Sequence, residues 1–227
     1  MDKTLIAITI AGLLGFSWTG SALAGCGDKR SPGMDWTGCK KINKFMDDSN
    51  FTGSRFDRAN LTLSKLDESD FTDASLVKTN MTRVSASNSR FINSDMTKAV
   101  GYRARFNHVV VEKSRLTKSE FSRASFEGAQ VNDVDWSRSE LGRVNFSNAE
   151  LSNVDFEYTN LARARFVEAT LDRVDFSGAY TYRTLFDGVD LTRTENLTQV
   201  QLDLSCGNAQ TKLPEGLTAP DKWPCKE

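Results

Sequence analysis

SRFDRANLTLSKLDESDF, residues 54–71, places a large apolar residue at every fifth position: Phe56, Leu61, Leu66 and Phe71. A step of five matches neither the helix period of about 3.6 residues nor the strand period of about two. Counting in fives from Met46 to Leu191 gives thirty positions: twelve Phe, nine Leu, three Met, two Val, Trp136, and the small residues Ala86, Gly101 and Thr181. Every phenylalanine after residue 24 except Phe45 falls on this phase. The phase two residues earlier is equally restricted, and counting in fives from Ser49 to Thr194 all thirty positions are Ala, Ser, Thr or Val. No insertion or deletion interrupts the count.

Such a fixed short period is the signature of a repeat architecture. Within each five, the centre and the small residue two before it must face one way while the residue between them faces the other, which is local strand alternation. The remaining two residues must turn the chain, or the next centre would change sides. The result is a solenoid whose interior takes one large and one small side chain per side. Two bulky residues per side would overfill a close-packed interior. A helix fails, because a step of five residues scatters the centres around the whole cylinder.

The triplets ANL (59–61), SDF (69–71), AEL (149–151) and VDF (154–156) at this spacing resemble the pentapeptide repeat family. The resemblance implies an all-β, right-handed quadrilateral β-helix with four pentapeptides, or twenty residues, per coil. It extends upstream to MDWTG (34–38) and downstream to Arg193, giving thirty-two repeats and eight coils. At a strand spacing of about 4.8 Å the rod would be roughly 38 Å long. Lys41 stands where a centre is expected, so the first coil should be irregular. With twenty residues per coil, Phe106, Phe126, Phe146, Phe166 and Phe186 should form one aromatic stack.

The expected organisation is a leader over 1–24, an N-terminal cap and irregular coil over 25–45, the β-helix over 46–195, and a C-terminal cap over 196–227. Lys3, the apolar run Leu5 to Trp18 and the small-residue pattern Ala22-Leu23-Ala24 read as a secretory leader, with export to a periplasm or beyond. Residues 23–26, LAGC, also resemble a lipobox, which would make Cys26 a lipid anchor. The four cysteines lie as one pair at each end, Cys26 with Cys39 and Cys206 with Cys225, which fits two disulfides in an exported protein. Lipidating Cys26 would strand Cys39. Leu197, Gln201 and Leu204 suggest a short amphipathic helix over the last coil, and the segment resembles the C-terminal cap of exported family members. Outside the leader, no segment is apolar enough to span a bilayer.

The catalytic inventory is thin. The one histidine, His108, falls on an outward position without a triad or metal-binding partner. Paired carboxylates such as Asp47-Asp48 and Asp67-Glu68 lie on outward positions of a convex rod. The reading is a non-catalytic, monomeric protein with no cofactor and no metal.

The surface is more informative than its near-neutral net charge of −1, which points to no nucleic-acid partner. Residues twenty apart should stack, so Arg83, Arg103, Arg123, Arg143, Arg163 and Arg183 would form one column. The preceding corner reads Arg58, Lys78, Lys98, Lys118, Arg138 and Tyr158. Tyr102, Tyr180 and Tyr182 lie beside these corners. Asp47, Asp67, Glu68, Glu127, Glu168 and Asp187 gather along another edge. Like charges this close repel. Either neighbouring Asp, Glu and Asn side chains, including Glu120 and Glu140, absorb the arginines, or the basic side binds an anionic partner. The expected partners are an envelope polymer, a lipid headgroup or an acidic protein face. Some cytoplasmic members of the resembled family mimic DNA with an acidic rod and bind topoisomerases; the leader and the positive column depart from that pattern.

Overall fold

The computed structural model describes residues 25–225; the expected leader, 1–24, lies outside the described residues. The chain is a parallel solenoid advancing by twenty residues per coil. One column of backbone pairing runs Asp35, Arg55, Ser75, Asp95, Arg115, Asp135, Asp155, Asp175, Glu195, eight links of twenty. Three further columns start at Lys40, Phe45 and Asn50, so each coil has four sides. On one of them, and from residue 130 onward around its corner into the next, the pairing is continuous enough to form a five-stranded sheet in the order β1 (Arg90–Ile92), β2 (Val110–Glu112), β3 (Gln130–Asp135), β4 (Glu150–Asp155), β5 (Thr170–Asp175).

The five-residue period has a direct structural cause. A centre such as Phe51 points inward, and its carbonyl accepts the N–H of Ser54 at 3.0 Å, closing a turn. The second residue of that turn has positive φ at nearly every corner, including Arg58 (57°), Lys78 (59°) and Tyr158 (54°). Non-glycine residues seldom occupy this region. Here it persists because each corner N–H donates to the next coil, as in Lys78 N to Thr97 O at 2.9 Å.

The core is two kinds of layer. Phe106, Phe126, Phe146, Phe166 and Phe186 stack at centroid distances of 4.9, 5.4, 5.2 and 5.5 Å. Edge-on contacts link this stack to Trp136, whose ring lies 5.4 Å from Phe126 at 82°. Aromatic pairs prefer these offset-stacked and edge geometries. Serine and threonine are tolerated at the small inward position because their hydroxyls find carbonyls. Thr79 donates to Phe56 O (2.6 Å), Ser139 to Leu116 O (2.9 Å) and Thr184 to Leu161 O (2.8 Å). A buried hydroxyl without such a partner would be costly.

The lapses in the repeat are local compensations. A Cβ on Gly101 would lie 2.2 Å from the Phe121 ring, so the next coil fills that gap. Thr181 donates to Gln201 O at 2.8 Å, where the cap docks. Lys41 does not disturb the backbone: Lys40 pairs with Asn60 and Phe45 with Lys65 in the ordinary register. The irregularity is confined to its side chain, which donates to Cys26 O (2.6 Å) and lies 3.8 Å over the Trp36 ring.

Both ends are closed. Cys26 is bonded to Cys39 and Cys206 to Cys225, each with Cα atoms 5.5 Å apart. The helix α1 (Gln199–Leu204) begins with a capping box between Thr198 and Gln201. Its buried residues are Gln201 and Leu202, with Leu204 only half-buried. The Gln201 amide donates to Phe176 O (2.6 Å) and Ala179 O (3.0 Å), occupying carbonyls of the last coil. Beyond the helix, Lys212 ties the cap to the coils by pairing with Asp190 at 2.9 Å. Hydrogen bonds from Thr192 and Lys212 hold the Asp190 carboxyl at about 2.

Candidate binding surface

The six arginines of the column are all second turn residues, with φ between 55° and 61°. Each backbone N–H is anchored to the next coil, from Arg83 N to Tyr102 O (2.9 Å) through Arg183 N to Leu204 O (2.7 Å). The side chains are exposed. Lys78, Lys98, Lys118 and Arg138 occupy the preceding corner in the same conformation and are also exposed. Twenty-residue pairing therefore brings together the predicted basic columns.

Between the corners, the outward positions are paired in the order Asn80, Val100, Glu120, Glu140, Asn160, Tyr180. The two glutamates do not absorb the arginines. Glu140 accepts from the Asn160 amide at 2.8 Å. Among the described residues, none of Arg83, Arg103, Arg123, Arg143 and Arg163 forms an ion pair. Arg103 instead lies 5.2 Å from the centroid of the Tyr102 ring, a cation–π contact.

The tyrosines concentrate toward the C-terminal end of this side. Tyr180 and Tyr182 lie face to face, 6.2 Å apart at 9°. Tyr158 is 61% exposed, and its ring would lie 2.6 Å from a Cβ on Gly178. That contact explains why the second basic corner ends in glycine, which sequence reasoning missed. The signal was legible only as a bulky residue followed by glycine twenty positions later; His108 and Gly128 repeat it.

The acidic edge behaves differently from the basic side. Asp67 accepts from Ser87 N and from the Ser85 hydroxyl, both at 2.7 Å, and Asp47 accepts from Asp67 N at 3.1 Å. Glu127 accepts from the Asn145 amide at 3.3 Å. These carboxylates stitch coils together. No group of three or more His, Cys, Asp or Glu among the described residues is arranged to hold a metal ion, and no described helix is long and apolar enough to cross a membrane.

A family model described as pentapeptide repeat region matches residues 119–195, and one described as pentapeptide repeats (8 copies) matches 46–83 and 64–100. The chain belongs to the pentapeptide repeat family. Solved pentapeptide repeat structures resemble it. One is trypsin-treated QnrB1, a plasmid-mediated fluoroquinolone resistance protein, at 18% identity and a TM-score of 0.53, covering 82% of this chain and 93% of that one. Another is HetL, involved in heterocyst differentiation regulation in the cyanobacterium Nostoc sp. strain PCC 7120, at 18% identity and a TM-score of 0.27, covering 88% and 94%. A third comes from the thylakoid lumen of Arabidopsis thaliana, at 20% identity and a TM-score of 0.35, covering 52% and 78%. At these identities the likeness concerns the fold alone. No curated protein matches the chain.

Proposed function

We propose that this pentapeptide repeat protein is an exported, non-catalytic monomeric rod that binds an anionic polymer of the bacterial envelope along its basic, tyrosine-bearing side. The observation that carries the reading is the arginine column. Five guanidinium groups stand in register without a carboxylate partner, while carboxylates elsewhere on the rod are engaged with neighbouring coils. Column spacing of about 4.8 Å suits a ligand with repeated charge. Guanidinium forks match carboxylate or phosphate, and the exposed tyrosine rings offer flat stacking surfaces.

Two disulfides support export, since such bonds persist in oxidising compartments. The lipid-anchored alternative needs a free Cys26, whereas that sulfur is bonded to Cys39. A DNA-mimic role needs an acidic face, and the longest uninterrupted charge column is positive.

The test is a binding screen of the purified protein against soluble anionic and neutral glycans at low and high salt. The reading expects binding to anionic glycans alone, weakening as salt rises, because exposed charge contacts are screened. Salt-independent binding, equal binding to neutral glycans, or no binding would overturn it.

A further inference from the structure

The N-terminal cap carries a second surface, different in kind from the arginine column. Phe45 is the one phenylalanine after residue 24 that misses the core phase, and it is 70% exposed. Its column continues as Lys65, Ser85, Arg105, Ser125, Asn145 and Arg165, all polar, and turns apolar only at Leu185, which pairs with Cys206. Ile42, three residues earlier, is also exposed. Cations surround the pair. Residues 25–46 hold five lysines and arginines against two carboxylates, and Lys29, Arg30, Lys40 and Lys44 are exposed. Lys29, Arg30, Lys41, Lys44 and Phe45 line one shallow basin of about 560 Å³, in which Asp28 is the one carboxylate. Burial first, and then the Lys44 charge, hold the Lys41 ammonium below the ordinary lysine range, with Asp28 opposing them.

We propose that this cap docks on an anionic lipid surface, with Phe45 and Ile42 entering the acyl boundary and the basin receiving a phosphate headgroup. Exposed aromatic and aliphatic side chains ringed by lysine are what interfacial binding requires: apolar area for the membrane and cations for its charge. Charge complementarity chooses lipid over a second copy, because two such caps face to face would bring their lysines together. The surface lies at the opposite end of the rod from Tyr180 and Tyr182, so it does not depend on the polymer-binding reading.

The experiment is co-sedimentation of the purified protein with vesicles of equal parts phosphatidylglycerol and phosphatidylcholine, and with phosphatidylcholine alone. The proposal expects binding to the mixed vesicles only. Removing the apolar pair (Phe45→Ser with Ile42→Ser) or the exposed charges (Lys40→Glu with Lys44→Glu) should each weaken it about tenfold or more. Lys41 is left intact because it holds Cys26 and Trp36, and an unchanged thermal midpoint certifies each variant's fold. Arg90→Glu with Lys113→Glu, outside both proposed surfaces, should leave vesicle binding unchanged. Equal binding to neutral vesicles, no binding, or wild-type binding by the Phe45 variant would overturn the proposal. So would loss of vesicle binding in the Arg90 variant, or a dimer in solution that Phe45→Ser dissolves, which would assign the patch to a second copy.

Discussion

The corner formed by Asn93, Lys113, Asp133, Asn153 and Arg173 and the corner formed by Arg83 through Arg183 lie ten residues apart, diagonally across the four-sided coil. Both have positive φ, 49° to 54° in the first and 55° to 61° in the second. At the first, side chains answer one another. Asn93 donates to Asp73 (2.6 Å), Asn153 to Asp133 (2.9 Å) and Arg173 to Asn153 (2.6 Å). Lys113 pairs with Glu112, and Asp172 with Arg173 and Arg193. The backbone responds as well: it bends at Asn93 and Lys113, and β3, β4 and β5 run through the corner as six-residue strands. At the second, the turn stays closed and the side chains share one sign. One corner spends its polar groups within the molecule, and the other leaves them exposed.

The largest expected effect removes both corners together. Phe146→Ala opens a hole in a stack bounded at 5.4 and 5.2 Å and should cost about 3–5 kcal/mol, read as a lower midpoint in denaturant melts. Next, Arg173→Ala should lose about 0.5–1 kcal/mol through its bond to Asn153, whereas Arg143→Ala should stay within about 0.5 kcal/mol of wild type. Equal losses would erase the distinction between the corners.

A pH effect belongs to the inward-bonded corner. Burial first, then the Asp135 and Asp175 charges, push the Asp155 carboxyl above its ordinary value. The folded state therefore holds this proton more tightly than the unfolded one. The associated stability is complete below the unfolded pKa and is lost as pH rises through the folded value. Asp155→Asn should raise the thermal midpoint at neutral pH and lose that advantage in acid. The amide oxygen can still accept the Glu157 N–H bonded at 2.6 Å. A lower midpoint at neutral pH would show that the charge is needed.

Much of this architecture was legible because the period is enforced by packing. Each centre fills one layer, so its identity is constrained from Met46 to Leu191, and the stack from Phe106 to Phe186 follows from the twenty-residue turn. The substitutions at Gly101 and Thr181 were not legible, since their reasons are Phe121 in the next coil and Gln201 in the cap. Nor could sequence tell the two corners apart as backbone. The arginines could be placed in a column from sequence, but whether Glu120 and Glu140 would neutralise them depended on side-chain geometry. Glu140 turns to Asn160 instead.

The most direct measurement is equilibrium binding of an anionic glycan to two double charge reversals with the same change in net charge. One is Arg123→Glu with Arg143→Glu; the other, on the far side, is Arg90→Glu with Lys113→Glu. The account predicts more than about tenfold loss for the first and near wild-type affinity for the second, with both variants folded. Equal losses would show that only total charge matters, and wild-type affinity in the first would remove the arginine column as the docking surface.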